Sequence, residues 1–129
     1  MEGLLKLLFI AAGGALGATS RYLLSMTIPT WLGRVYLWGT LSVNILGSFL
    51  IGLVWAYFSQ NTGQVNLKLF LIVGLLGGFT TYSSFSLEVL NLFKNGHTQV
   101  AILYILATNT LAIAAAFAGY YLLNAFLKG

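Results

Sequence analysis

Apolar residues run along this chain in four long stretches, about 4–28, 36–58, 67–93 and 98–127, separated by short polar turns. An α-helix needs roughly 20 residues to cross a hydrocarbon core of about 30 Å, and each stretch exceeds that. The pattern therefore predicts one all-α membrane domain over 1–129 with four transmembrane helices. The connections are Pro29-Thr30-Trp31-Leu32-Gly33-Arg34, Ser59-Gln60-Asn61-Thr62-Gly63-Gln64 and Lys94-Asn95-Gly96-His97. All are short, so consecutive helices should lie antiparallel. Pro29 falls where the first helix must stop. Trp31, Trp38 and Trp55 lie towards helix ends, where an aromatic belt meets the headgroups. The chain begins like a secretory leader, with Lys6 ahead of Leu7-Leu8-Phe9-Ile10, but its apolar run continues past Tyr22 to Ile28. That is longer than a leader's apolar region of about 7–15 residues, so a spanning helix is expected.

Polar positions inside the stretches are few and regularly placed. Gly13 and Gly17 stand four apart with Gly14 and Ala18 beside them, a spacing that lets helix backbones approach in lipid. In the second stretch Thr40, Asn44, Ser48 and Gly52 share one helix face, while Leu41, Ile45 and Phe49 occupy another. An asparagine at that depth is either a donor lining an ion path or a hydrogen-bonding link between helices. The third stretch reads Gly74-Leu75-Leu76-Gly77-Gly78-Phe79-Thr80-Thr81-Tyr82-Ser83-Ser84-Phe85-Ser86-Leu87-Glu88. Its glycine pair and hydroxyl run predict a helix broken near the membrane centre, which survives only where protein or a cavity covers it. The freed carbonyls are hard oxygen ligands suited to a small monovalent cation; the alternative is a structural kink. Glu88 lies two turns beyond, on the face of Thr81 and Phe85. It is either a functional intramembrane carboxyl or a group reaching headgroup water. In the fourth stretch Tyr104, Thr108 and Ala112 form a column that faces a neighbouring helix or a pore, and Asn109 projects elsewhere.

Composition narrows the chemistry. The chain is 59% hydrophobic and 6% charged, against about 25% charged in an average soluble domain, so lipid is its solvent. Glu2 and Glu88 are its only acidic residues, His97 its only histidine, and it has no cysteine. Thiolate metal sites, disulfides and cysteine nucleophiles are excluded, and enzyme chemistry is not expected. The net charge of +4 comes from scattered basic residues rather than a stripe, which argues against nucleic acid. Lys6, Lys68 and Lys128 fall on one membrane face, Arg34 and Lys94 on the other, with Arg21 snorkelling towards Arg34. The balance gives the positive-inside rule nothing to act on, so insertion in both orientations and an antiparallel homodimer are expected. Amide and hydroxyl donors, positive ring edges and the field of Arg21 suit a small anion.

Three ordered motifs carry a family resemblance: Gly13-Gly14-Ala15-Leu16-Gly17-Ala18-Thr19-Ser20-Arg21-Tyr22, Gly39-Thr40-Leu41-Ser42-Val43-Asn44-Ile45-Leu46-Gly47-Ser48-Phe49, and Gly77-Gly78-Phe79-Thr80-Thr81-Tyr82-Ser83-Ser84-Phe85-Ser86. Together they cover the chain end to end, and the sequence resembles the Fluc (CrcB-type) fluoride channel family. The resemblance implies a dual-topology antiparallel homodimer in the bacterial inner membrane, with two fluoride pores and a structural sodium ion at the two-fold axis. It implies that the backbone carbonyls of Gly77 and Thr80 hold the sodium and that Asn44, Tyr82 and Phe85 line the anion path. On the same basis Thr40, Ser83, Ser84 and Glu88 form polar walls, Arg21 sits in the vestibule, and Tyr104 and Thr108 join the path. One departure stands out: the family pattern Thr-Thr-Phe-Ser-Thr-Phe has Tyr82 in place of its first phenylalanine here, which implies altered conduction rather than an altered fold.

The expected activity is passive fluoride diffusion down its gradient, since no nucleotide-binding loop is available to drive a pump. The rival is a proton-coupled exporter of the small multidrug-resistance type, which needs a central carboxylate that the first helix lacks. A non-transporting scaffold subunit is the third reading.

Overall fold

The computed structural model describes residues 1–28 and 35–129, with the side chains of Val35 and Tyr36 left aside. Pro29, Trp31 and Arg34 lie outside the described residues. Among the described residues, four helical spans are long and apolar enough to cross a membrane. They are α1 (Glu2–Thr27), α2 (Val35–Gln60), a divided third span, and α6 (Thr98–Lys128). The third span comprises α3 (Val65–Lys68), a π-helical stretch (Leu69–Leu76), α4 (Gly77–Phe79) and α5 (Tyr82–Lys94). Six of the eight span ends run one or two residues beyond the apolar pattern, because helices continue into the interface where polar residues are tolerated.

Local chemistry explains where the helices stop. Ile28 is extended, with φ −69° and ψ 132°, as steric pressure from a following proline requires. At the end of α5, Gly96 takes φ 76°, a conformation that costs a side-chain-bearing residue energy. The chain then folds back so that His97 N–H donates to Leu92 O at 2.8 Å and Gly96 N–H to Phe93 O at 3.1 Å. Hydroxyl side chains on the outer faces bond to their own helix: Thr19 to Ala15 O, Ser59 to Trp55 O and Ser86 to Tyr82 O. Lipid supplies no partners, so such groups return to the carbonyls of the preceding turn.

Two packings organise the molecule. In the first, α1 lies along the first half of the third span. Only Gly13 and Gly17 of α1 are buried, and a Cβ on Gly17 would strike the carbonyl oxygen of Leu75. In the second, α2 and α6 pack closely against each other. The second half of the third span, α5, covers only one end of that pair. There Leu37, Phe85, Leu92, Ala101 and Tyr104 form a buried cluster, with Leu41, Val89, Val100 and Ile105 packed around it. The other end of the α2–α6 surface carries an apolar groove of about 480 Å³, lined by Ile51, Gly52, Trp55, Ile72, Phe117 and Tyr121 among others. Trp38 and Trp55 are exposed towards the ends of α2, as a belt residue should be, and Lys68 Nζ sits 4.3 Å from the Trp55 ring centroid.

The third span is broken near its centre, but not at the glycines. Gly77 is helical, with φ −63° and ψ −37°. The helix instead opens at Thr80 and Thr81, which are extended at ψ 155° and ψ 116°. Gly78 serves contact instead: a Cβ there would lie 2.8 Å from Gly14 O and 3.3 Å from Ala18 N.

Candidate ion path at the broken third span

A helix that opens in lipid must find partners for the backbone groups it releases. Asn44, buried on α2 at 7% exposure, supplies two of them. Its Nδ2 donates to Thr81 O at 3.0 Å, and its Oδ1 accepts from Thr81 N–H at 2.7 Å. The side-chain amide thus pairs with one residue as a neighbouring strand would. Thr81 then caps α5: its Oγ1 accepts from Ser84 N–H at 3.1 Å and lies 3.3 Å from Ser83 Oγ. On the other lip, Thr80 N–H and Thr80 Oγ1 both donate to Leu76 O at 3.0 Å.

Beside the break lies a pocket of about 190 Å³ whose walls include Asn44, Ser48, Thr80, Thr81, Tyr82, Thr108 and Asn109. Thr108 is 4% exposed, and its Oγ1 is buried with no hydrogen-bond partner among the described residues. An unpartnered buried hydroxyl costs about 1–3 kcal/mol, a local penalty that the packing of α6 beside the pocket carries. Asn109, expected to project elsewhere, lines the same pocket while its Nδ2 donates back to Ile105 O at 2.8 Å. Adjacent helical positions diverge by about 100°, and the pocket is bordered by both Thr108 and Asn109.

From this pocket a line of side chains leads along α5 and α6 towards the membrane face where α5 ends. The Tyr82 and Phe85 ring centroids are 5.1 Å apart, tilted at 56°, and those of Phe85 and Tyr104 are 5.1 Å apart, edge-on at 60°. Tyr104 OH donates to Glu88 Oε2 at 2.6 Å, and Thr40 Oγ1 donates to Glu88 Oε1 at 2.6 Å. Glu88 is therefore tied to hydroxyls from α2 and α6 as well as being half-buried. Each tie can be weighed. Tyr104→Phe keeps the ring and removes one donor, and Thr40→Val removes the other while keeping the shape. Each is expected to cost about 1–2 kcal/mol, read as a lower unfolding temperature in detergent. Because both donors serve one carboxyl, the double variant should depart from additivity by about 0.5 kcal/mol or more.

Two groupings of the expected residues thus form: Asn44, Tyr82 and Thr108 around the pocket, and Thr40, Phe85, Glu88 and Tyr104 beyond it. Tyr82 is 67% exposed and stands at the edge of the first group. Ser83 is exposed and Ser84 half-buried, and both engage Thr81 rather than the pocket. Arg21 lies apart from both groupings, its Nε donating to Gly78 O at 3.2 Å. Gly77 is exposed and Thr80 half-buried at the lip of the break. Thr81, the residue on which Asn44, Ser83 and Ser84 converge, was not singled out from the sequence. The signal available was a hydroxyl residue directly ahead of an apolar helical run, which marks a helix start.

Residues 8–120 match the family model described as CrcB-like protein, Camphor Resistance (CrcB). The chain belongs to the CrcB family. It is a multi-pass integral membrane protein. Among its CrcB relatives is the fluoride-specific ion channel FluC of Magnetococcus marinus, 47% identical over 116 residues that cover 89% of this chain and 94% of the relative. The FluC of Agrobacterium fabrum is 44% identical over 117 residues, covering 90% and 94%. That of Rhizobium meliloti is 41% identical over 122 residues, covering 94% and 98%. These CrcB relatives bear the name of a channel, a kind of function that involves no catalysed reaction.

Proposed function

We propose that this chain forms a channel through which fluoride crosses the bacterial inner membrane passively, down its electrochemical gradient. The observation that carries the reading is the pocket at the break, walled by amide- and hydroxyl-bearing residues and continued by ring edges and the Tyr104 hydroxyl. Fluoride is small and strongly hydrated, so entry requires closely spaced donors that replace its water, and a path with a single carboxyl does not favour cations. The name that the curated relatives carry supports the same ion.

The working unit in this reading is an antiparallel homodimer with two paths. Within one chain α5 covers only one end of the α2–α6 surface, leaving the apolar groove at the other. A two-fold axis in the membrane plane would bring the α5 of a second copy onto that groove, with its exposed Tyr82, Leu87 and Leu90. Two symmetric pockets would result, each bordered by both copies. The even charge balance on the two faces fits insertion in both orientations.

A sodium ion at the dimer axis fits the oxygens that the break releases. In an unbroken helix Thr81 N–H would bond Gly77 O and Ser84 N–H would bond Thr80 O, but these donors turn instead to Asn44 Oδ1 and Thr81 Oγ1. Gly77 and Thr80 of each copy would hold the ion through those carbonyls. The ion would supply positive charge that ties the two breaks together.

Vesicles reconstituted with the protein and loaded with potassium fluoride or potassium chloride test the function. On addition of valinomycin, fluoride should leave within seconds while chloride stays for many minutes. Fluoride release no faster than from protein-free vesicles would defeat the proposal.

A further inference from the structure

We infer that Arg21 is a positioning residue that caps the first half of the broken third span. Opening the chain at Thr80 removes the helical donor from Gly78 O, which would otherwise be Tyr82 N–H. The carbonyl sits at membrane depth, where water cannot serve it. Arg21 Nε donates to it at 3.2 Å across 57 positions of sequence. The approach is built into both backbones. Gly14, Ala18 and Arg21 follow one another on a single face of α1, and the missing side chain of Gly78 lets that face close to within 2.8 Å of where its Cβ would be. The run from Val65 to Phe79 ends with its carbonyls directed at the break, so the partial negative charge of a helix C-terminus gathers there. A guanidinium at that end offsets the charge as well as filling a lone pair. Arg21 lines neither the pocket nor the Glu88 cluster, and acts through the break.

A clamp and a vestibule charge differ in what they disturb. A charge that concentrates anions alters the fluoride level giving half-maximal flux and leaves the backbone alone. A clamp governs the protection of the backbone around the break and the maximal flux. Arg21→Gln puts an amide N–H where Nε stood and drops the charge, whereas Arg21→Met keeps the stem and drops both. Hydrogen–deuterium exchange of the purified full chain, read over peptides covering 77–86, should accelerate about tenfold or more in Arg21→Met and stay within about threefold of wild type in Arg21→Gln. Peptides from α6 should not change. If Arg21→Met does not fold, Arg21→Lys replaces it: lysine has a methylene at the Nε position, so glutamine must protect the break better than lysine. The reverse order, or unchanged exchange in Met and Gln alike, would overturn the inference. The flux arm rests on the fluoride reading, with maximal efflux expected to fall about tenfold in Arg21→Met. If wild-type vesicles release no fluoride, that reading fails while the exchange data still decide the clamp.

Discussion

Asn44→Leu is expected to abolish fluoride efflux, by about 100-fold or more, while leaving the four-helix fold in place. The reason lies in what Thr81 does when its partner is gone. Its N–H and C=O are held by the Asn44 amide at 2.7 and 3.0 Å. Leaving both unsatisfied costs about 1–3 kcal/mol each, an amount the chain can avoid. Thr81 N–H can return to Gly77 O and Ser84 N–H to Thr80 O, winding the third span into one continuous helix. The loss in stability is then small, about 1–2 kcal/mol, in line with the modest worth of single polar links between membrane helices. Conduction suffers far more, because rewinding removes the pocket wall made by Thr80 and Thr81 and takes back the oxygens of Gly77 and Thr80. A bias of about 3 kcal/mol towards the closed helix leaves roughly one molecule in 100 open. Efflux from vesicles measures the loss, and exclusion chromatography of the same preparation checks the fold. A leucine variant conducting within about threefold of wild type would show that the Asn44–Thr81 pairing is not what keeps the span open.

The same pairing marks the limit of what the residues disclose in order along the chain. Four spans were legible because an apolar run of 20 or more residues is a signal in one dimension. The Thr40, Asn44 and Ser48 face was legible from spacing alone, whereas Phe85 and Tyr104 were expected along the path only through the family resemblance, since spacing leaves Tyr104 facing either a neighbouring helix or a pore. The break itself was located only to within a few residues. Gly77-Gly78 drew attention by propensity, whereas the opening is fixed at Thr80–Thr81 by an asparagine 37 positions earlier. Glycine lowers the cost of bending, but a backbone opens where its donors and acceptors find better partners. Arg21 was read as a field or vestibule charge for the same reason, since Gly78 is 57 positions away. The π-helical winding of Leu69–Leu76 left no mark in the residue pattern at all, and it sets the register with which Gly74 and Gly78 meet α1.

Gly119→Leu is expected to have the largest effect on folding, leaving little or no monodisperse protein in detergent. A Cβ on Gly119 would strike Phe49 O and lie 3.1 Å from Leu53 N, and a Cβ on Gly52 would strike Ala116 O and lie 2.8 Å from Tyr120 N. The two glycines face opposite helices, so α2 and α6 rest backbone on backbone at two successive turns. The obstacles are carbonyl oxygens rather than ends of flexible side chains, and no rotamer change can move them. Helices in lipid associate through close packing, since apolar surface gains nothing by leaving a hydrocarbon solvent. Forcing a leucine between them therefore removes the main attraction, beyond the about 1–3 kcal/mol that overpacking ordinarily costs. It would also part Asn44 from the Thr108 wall and dissolve the pocket. Gly14→Ala provides the contrast, because nothing lies within 4 Å of the position its Cβ would take. That variant should match wild type to within about 1 kcal/mol, with helix propensity favouring alanine. Thermal unfolding followed by loss of the monodisperse peak reads both changes. If Gly119→Leu unfolds at the wild-type temperature, the α2–α6 contact is not the frame on which the ion path is built.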